Sequence, residues 1–110
     1  MKTLLTIAVA IWCTAALAQE STAVLGNGTI SCGKWLQDNQ GWPAIANKAW
    51  VLGYLTGANA YNSINDRDIS AGKDTAALTA WIDNYCRANP LEDLRSAAHH
   101  LILTLVRAKH

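Results

Sequence analysis

Phenylalanine does not occur in these 110 residues, methionine occurs once, and the two prolines are Pro43 and Pro90. The patterns that usually carry enzyme chemistry are also missing. No serine sits in a nucleophile elbow, no His-Glu-x-x-His occurs, and no glycine-rich phosphate loop follows a strand. Asp83 and Glu92 are the nearest thing to an acid/base pair, and nothing in their spacing brings them together. The chain therefore reads as a non-enzyme. No basic stripe with interleaved aromatics is present, which removes nucleic acid as a partner. Vicinal cysteines are absent, which removes thiol redox catalysis. Asp66 and Asp68 lack the central glycine and closing glutamate of a calcium loop. His99 and His100 are adjacent, so on a helix they point about 100° apart and do not chelate one ion. No metal and no cofactor is expected. No apolar run reaches the 18 or so residues of a stable membrane anchor.

The N-terminus has its own grammar. Lys2 supplies a positive start, Leu4 to Leu17 is apolar apart from threonines and Cys13, and Ala16-Leu17-Ala18 precedes polar Gln19-Glu20. This is the pattern of a secretory signal peptide cleaved after Ala18, so residues 1–18 are set apart from a single domain over 19–110. A periplasmic or secreted location follows. Cleavage removes Cys13 and leaves Cys32 and Cys86, which in an oxidising compartment are expected to form one structural disulfide. The remaining domain carries eight Lys and Arg against eight Asp and Glu, plus four tryptophans. That many indoles in a small domain favours a packed helical core or an apolar surface for a partner.

The domain reads as all-α, with four helices. Gln19 to Ile30 is a loose arm with a turn at Gly26-Asn27-Gly28. Ser31 caps a short first helix from Cys32 to about Gln40, with Cys32, Trp35 and Leu36 on one side. Pro43 opens a longer second helix to about Asn59, whose apolar face is Ile45, Ala49 and Leu52 with Trp50, Tyr54 and Leu55 beside it. Gly53 and Gly57 on one face of that helix imply that another helix crosses closely there. A polar loop spans Asn59–Lys73, longer than most connections. Asp74 caps a third helix over Thr75–Ala88, with Leu78, Ile82 and Cys86 at i, i+4, i+8 and Trp81 and Tyr85 alongside. Asn89, Pro90 and Glu92 form a capping-box pattern, so the fourth helix is expected from Pro90 to about Ala108. Its stripe is Leu91, Leu94, Ala98, Leu101 and Leu105. Leu103 and Val106 fall off that stripe, which suggests a partner-facing side.

Three segments then carry a family likeness: Ser31-Cys32-Gly33-Lys34-Trp35-Leu36, Ala49-Trp50-Val51-Leu52-Gly53, and Asn84-Tyr85-Cys86-Arg87-Ala88-Asn89-Pro90-Leu91-Glu92-Asp93-Leu94. They resemble the HdeA/HdeB acid-stress chaperones of the bacterial periplasm, small exported helical proteins with one disulfide. The resemblance implies a protein that is folded, and often a homodimer, at neutral pH. In acid it would open and hold denatured periplasmic proteins. Trp35, Trp50, Tyr54, Trp81, Leu101 and Leu105 would supply the client- or partner-binding surface. The Gly53-Tyr54-Leu55-Thr56-Gly57 segment and the asparagine-rich loop depart from that family. They resemble the Rap1a/Tai immunity proteins of type VI secretion, which bind and block one toxin enzyme. That family usually carries more cysteines. An exported helical domain with a different role is the third alternative.

Overall fold

A computed structural model describes residues 23–61 and 68–108. The signal-peptide reading of residues 1–18, and Asp66 of the polar loop, lie outside the described residues. The domain is all-α: among the described residues there is a short 3-10 turn at Gly26–Thr29 and four α-helices. These are α1 (Cys32–Gln37), α2 (Gly41–Tyr61), α3 (Thr75–Ala88) and α4 (Leu94–Arg107). The last of these is the hub, packing against α1, α2, α3 and the 3-10 turn. No described helix is long and apolar enough to cross a membrane.

Local signals place α1 and α3 where the sequence puts their starts. Ser31 Oγ accepts the Lys34 amide at 3.0 Å, and Asp74 Oδ1 accepts the Ala77 amide at 2.8 Å. Each satisfies one of the orphan donors of a first helical turn. Helix α1 is shorter than expected, closing at Gln37 with Asp38 as its C-cap. The Cys32–Cys86 disulfide joins α1 to the end of α3, with Cα atoms 4.7 Å apart and the two cysteines separated by 54 in sequence. Both cysteines are fully buried.

The start of α4 differs from the capping-box reading. Its N-cap is Asp93, whose Oδ1 accepts the Ser96 amide at 2.7 Å. Asn89 instead closes α3: its amide donates to the Tyr85 and Cys86 carbonyls, and its side chain donates to the Tyr85 carbonyl. Residues 90–92 are held in a turn because their carbonyls serve α1. Cys32 N–H donates to Glu92 O at 2.7 Å, and Gly33 N–H donates to Pro90 O at 3.1 Å. Leu94 N–H donates to Ile30 O at 2.9 Å, and Ser31 and Asp93 form an isolated antiparallel bridge. The first three amides of α1 are thus satisfied by Glu92, Pro90 and the Ser31 hydroxyl. Leu91, assigned to the apolar stripe by its spacing, stands outside the helix and is 98% exposed. The stripe itself is Leu94, Ala97, Ala98, Leu101 and Leu105, all buried. Val106 packs against the core and Leu103 is half-buried.

Helix α2 turns a different face inward from the expected one. Ala44, Asn47, Val51 and Leu55 are buried, while Ile45 and Ala49 are exposed and Leu52 is half-buried. Both sides of this helix are apolar, with Lys48 its single charge, so periodicity gave no direction. Asn47 made the true inner face look polar; its Oδ1 accepts from Asn27 Nδ2 at 2.8 Å, while its own buried Nδ2 has no protein partner. Gly53 and Gly57 do not mark a helix crossing. A Cβ built at either would meet nothing within 4 Å.

The arm is not loose from Ala23 onward. Gly28 is buried beneath the Trp50 ring, so close that a side chain there would collide with the indole and with Val24. Past α2, Ile69 enters the core at 3% exposure. Asn59 fixes that approach, accepting from Ile69 N–H at 2.9 Å and donating to Asp68 Oδ1 at 2.8 Å.

Candidate functional site

The six residues singled out for binding divide into three environments. Trp35, Leu101 and Leu105 are core residues, each 4% exposed or less. In the folded protein they offer nothing to a partner. The Trp35 indole is anchored by donating to Asp83 Oδ1 on α3 at 2.7 Å, with Asp83 half-buried. Beside it, Asp38, Lys48, Asp83 and Arg87 line a small cleft of about 150 Å³. Within it Asp38 is paired with Lys34, Asp83 accepts the Trp35 indole and Arg87 donates to Asn84.

Trp81 is half-buried in an aromatic stack that bridges α3 and α4. Its ring lies 5.5 Å from Tyr85, and Tyr85 lies 5.1 Å from His100. His100 Nδ1 sits 2.9 Å from the Ser96 carbonyl, so it carries the hydrogen and donates to that oxygen; Tyr85 Oη is 3.2 Å from the same nitrogen. Burial first, then the carboxylates of Glu92 and Asp93, raise the Tyr85 phenol above its ordinary ionisation near 10. His99 stands edge-on to His100 with ring centres 6.2 Å apart. Among the described residues, no three His, Cys, Asp or Glu side chains gather as a metal site would require.

Trp50 and Tyr54 form the third environment, and here the folded protein has an open surface feature. The Trp50 indole donates to the Leu25 carbonyl at 2.6 Å, which fixes the ring across the 3-10 turn. Tyr54 stacks on it at 5.2 Å. These rings, with Leu25, Gly53, Arg95 and His99, line a groove of about 550 Å³ between the arm, α2 and α4. The volume falls in the range of small-molecule sites. Arg95 and His99 were not singled out from the sequence. Their i, i+4 spacing shows a shared face of α4, but only the position of the arm shows that this face borders Trp50. Other exposed apolar side chains lie elsewhere: Trp42 and Ile45 at the start of α2, Tyr61 at its end, and Leu91 on the 90–92 turn.

The fold and the Cys32–Cys86 bridge thus stand on the geometry, while Trp50, Tyr54 and Trp81 are the expected binding residues within reach of a partner. Comparison of the chain with protein-family models, with curated proteins and with solved structures finds no match.

Proposed function

We propose that this protein is an exported holding chaperone, opened by acid, in the manner of the HdeA/HdeB proteins it resembles. The observation that carries the reading is the position of the carboxylates, which sit at the joints of the fold. Asp74 and Asp93 cap α3 and α4, and Asp83 receives the Trp35 indole. Below about pH 4, carboxyl groups as a class take up protons. Each cap sets a negative charge beside a helix N-terminus, an interaction of about 0.3–1 kcal/mol. The Trp35 anchor is a hydrogen bond to a carboxylate.

Net charge acts in the same direction. After removal of residues 1–18 the chain has eight Lys and Arg and three His, so full protonation of its carboxylates leaves eleven positive side chains and no negative ones. Their mutual repulsion opposes the compact state. Opening would release Trp35, Leu101 and Leu105 from the core, beside the half-exposed Trp50, Tyr54 and Trp81. The disulfide would keep α1 tethered to α3 throughout, which favours refolding when pH returns to neutral.

The test is tryptophan fluorescence with an apolar dye on the oxidised domain from pH 7 to pH 2, followed by suppression of client aggregation in acid. The expected result is a reversible red shift with dye binding below about pH 4. A spectrum unchanged down to pH 2 sinks the proposal. One observation favours a second reading, an immunity-type inhibitor of a single toxin enzyme: the Trp50–Tyr54 groove is open while the protein is folded. An acid-indifferent fold that captures one partner at pH 7 would support it.

A further inference from the structure

We propose that the groove between the arm, α2 and α4 binds the free C-terminus of a polypeptide whose last side chain is apolar. This site belongs to the folded state and does not depend on acid opening.

The groove has two chemically distinct walls. Leu25, which is 81% exposed, and the stacked rings of Trp50 and Tyr54 make one apolar. Arg95 and His99, one turn apart on α4, make the other basic, and among the described residues no carboxylate lines the groove. Arg95 is half-buried, and among the described residues it makes no hydrogen bond or ion pair. A guanidinium partly removed from water and left without a counter-charge is a ready partner for a carboxylate, which it can engage with two parallel hydrogen bonds. His99 adds a further donor at the same wall. Gly53 keeps the floor low: it follows Trp50 by three residues and precedes Tyr54, and a side chain built there would occupy open space.

The shape and the charge together select a chain terminus. A C-terminal residue carries its carboxylate and its side chain on the same carbon, so one can face Arg95 while the other lies against Trp50 and Tyr54. The preceding residues then leave through the open side of the groove. A free fatty acid would satisfy Arg95 equally well but would leave most of its methylenes in water, because the groove is open rather than enclosed.

The test uses the oxidised protein at pH 7 and the pentapeptide Gly-Gly-Ser-Ala-Leu, with binding read from tryptophan fluorescence and from the amide chemical shifts of Trp50, Gly53, Tyr54, Arg95 and His99. Expected is saturable binding of the free acid that weakens about tenfold or more when the peptide is amidated. Arg95→Gln should weaken the acid by about the same factor and leave the amide unchanged. Gly53→Leu should abolish binding of both, while its helical spectrum and cooperative melting remain. Equal binding of acid and amide, no saturable binding of the acid, or binding unaffected by Arg95→Gln overturns the proposal. Tighter binding of dodecanoate, sensitive to the same two substitutions, overturns it in favour of a lipid ligand. None of these outcomes depends on the acid titration.

Discussion

The disulfide elbow and the outward side of α2 treat unsatisfied groups in opposite ways. At the elbow the backbone's demands are met from within: Cys32, Cys86 and Leu94 are fully buried, and the turn carbonyls of Pro90 and Glu92 meet the first amides of α1, with the Leu91 side chain of the turn left in solvent. Along the outer side of α2, Trp42, Ile45, Ala49 and Gly53 lie open to solvent, and among the described residues nothing approaches Gly53 or Gly57. Both regions are rich in apolar residues, so composition does not tell them apart. The elbow supplies stability. The outer side of α2, and the groove at its edge, are apolar surface that the described residues leave uncovered.

Breaking the elbow should have the largest effect. Reducing the disulfide, or replacing both cysteines by serine, is expected to cost about 2–5 kcal/mol, read from urea unfolding under matched conditions. A chain that melts identically with and without reductant would show that the elbow is not the anchor. Leu101→Ala should cost about 2–5 kcal/mol, because it empties a core position at 1% exposure. Ile45→Ala, on the open side of α2, should stay within about 0.5 kcal/mol.

Two glycines sharpen the contrast further, because the same substitution should change sign between them. Gly28→Ala is expected to destabilise by about 1–3 kcal/mol, since the new methyl collides with the Trp50 ring. Gly53→Ala should stabilise by up to about 1 kcal/mol, since it gains helix propensity and meets nothing. Thermal melts of the two variants decide this. At the elbow, Asp93→Ala should cost about 1 kcal/mol as the loss of a helix cap, and Glu92→Ala close to nothing. The reverse order would restore a helix beginning at Pro90.

The smallest effect concerns alkali. Because the Tyr85 phenol is raised in the folded state, the fold binds its proton more tightly than the unfolded chain does. Its contribution is complete below pH 10 and is lost as pH rises through the folded value. Tyr85→Phe should therefore flatten the decline in stability above pH 10, measured by urea melts at successive pH values. An unchanged decline would place its cause elsewhere.

What could be read in the sequence was what is decided locally. Helix α3 has a cap at Asp74, an i, i+4, i+8 stripe and a proline after its end, and its bounds follow from those alone. The two cysteines left after a leader is set aside define the bridge. The start of α4 was misread because Asn89, Pro90 and Glu92 carry a genuine local cap pattern that a distant demand overrides. The α1 amides, nearly 60 positions earlier, take the carbonyls that the turn presents. The buried face of α2 was hidden for a related reason: Asn47 looks solvent-facing until Asn27 is seen beside it. The groove depended on the same kind of information. Trp50 and Arg95 belong to different helices, and only the arm folding back over Trp50 makes their common wall visible.

The dependence of α1 on the 90–92 turn also sets an order of events. A six-residue helix does not persist by itself in water, and two of its first amides find their acceptors only once the end of α3 is in place. A chain emerging from its N-terminus therefore stays without α1 until nearly the whole of it has appeared. Cys32 waits for Cys86, and the bridge can close only after the end of α3 has appeared. Amide exchange at Cys32 and Gly33 should accordingly report the docking of α1 on the 90–92 turn, and those two positions should gain protection no earlier than the end of α3.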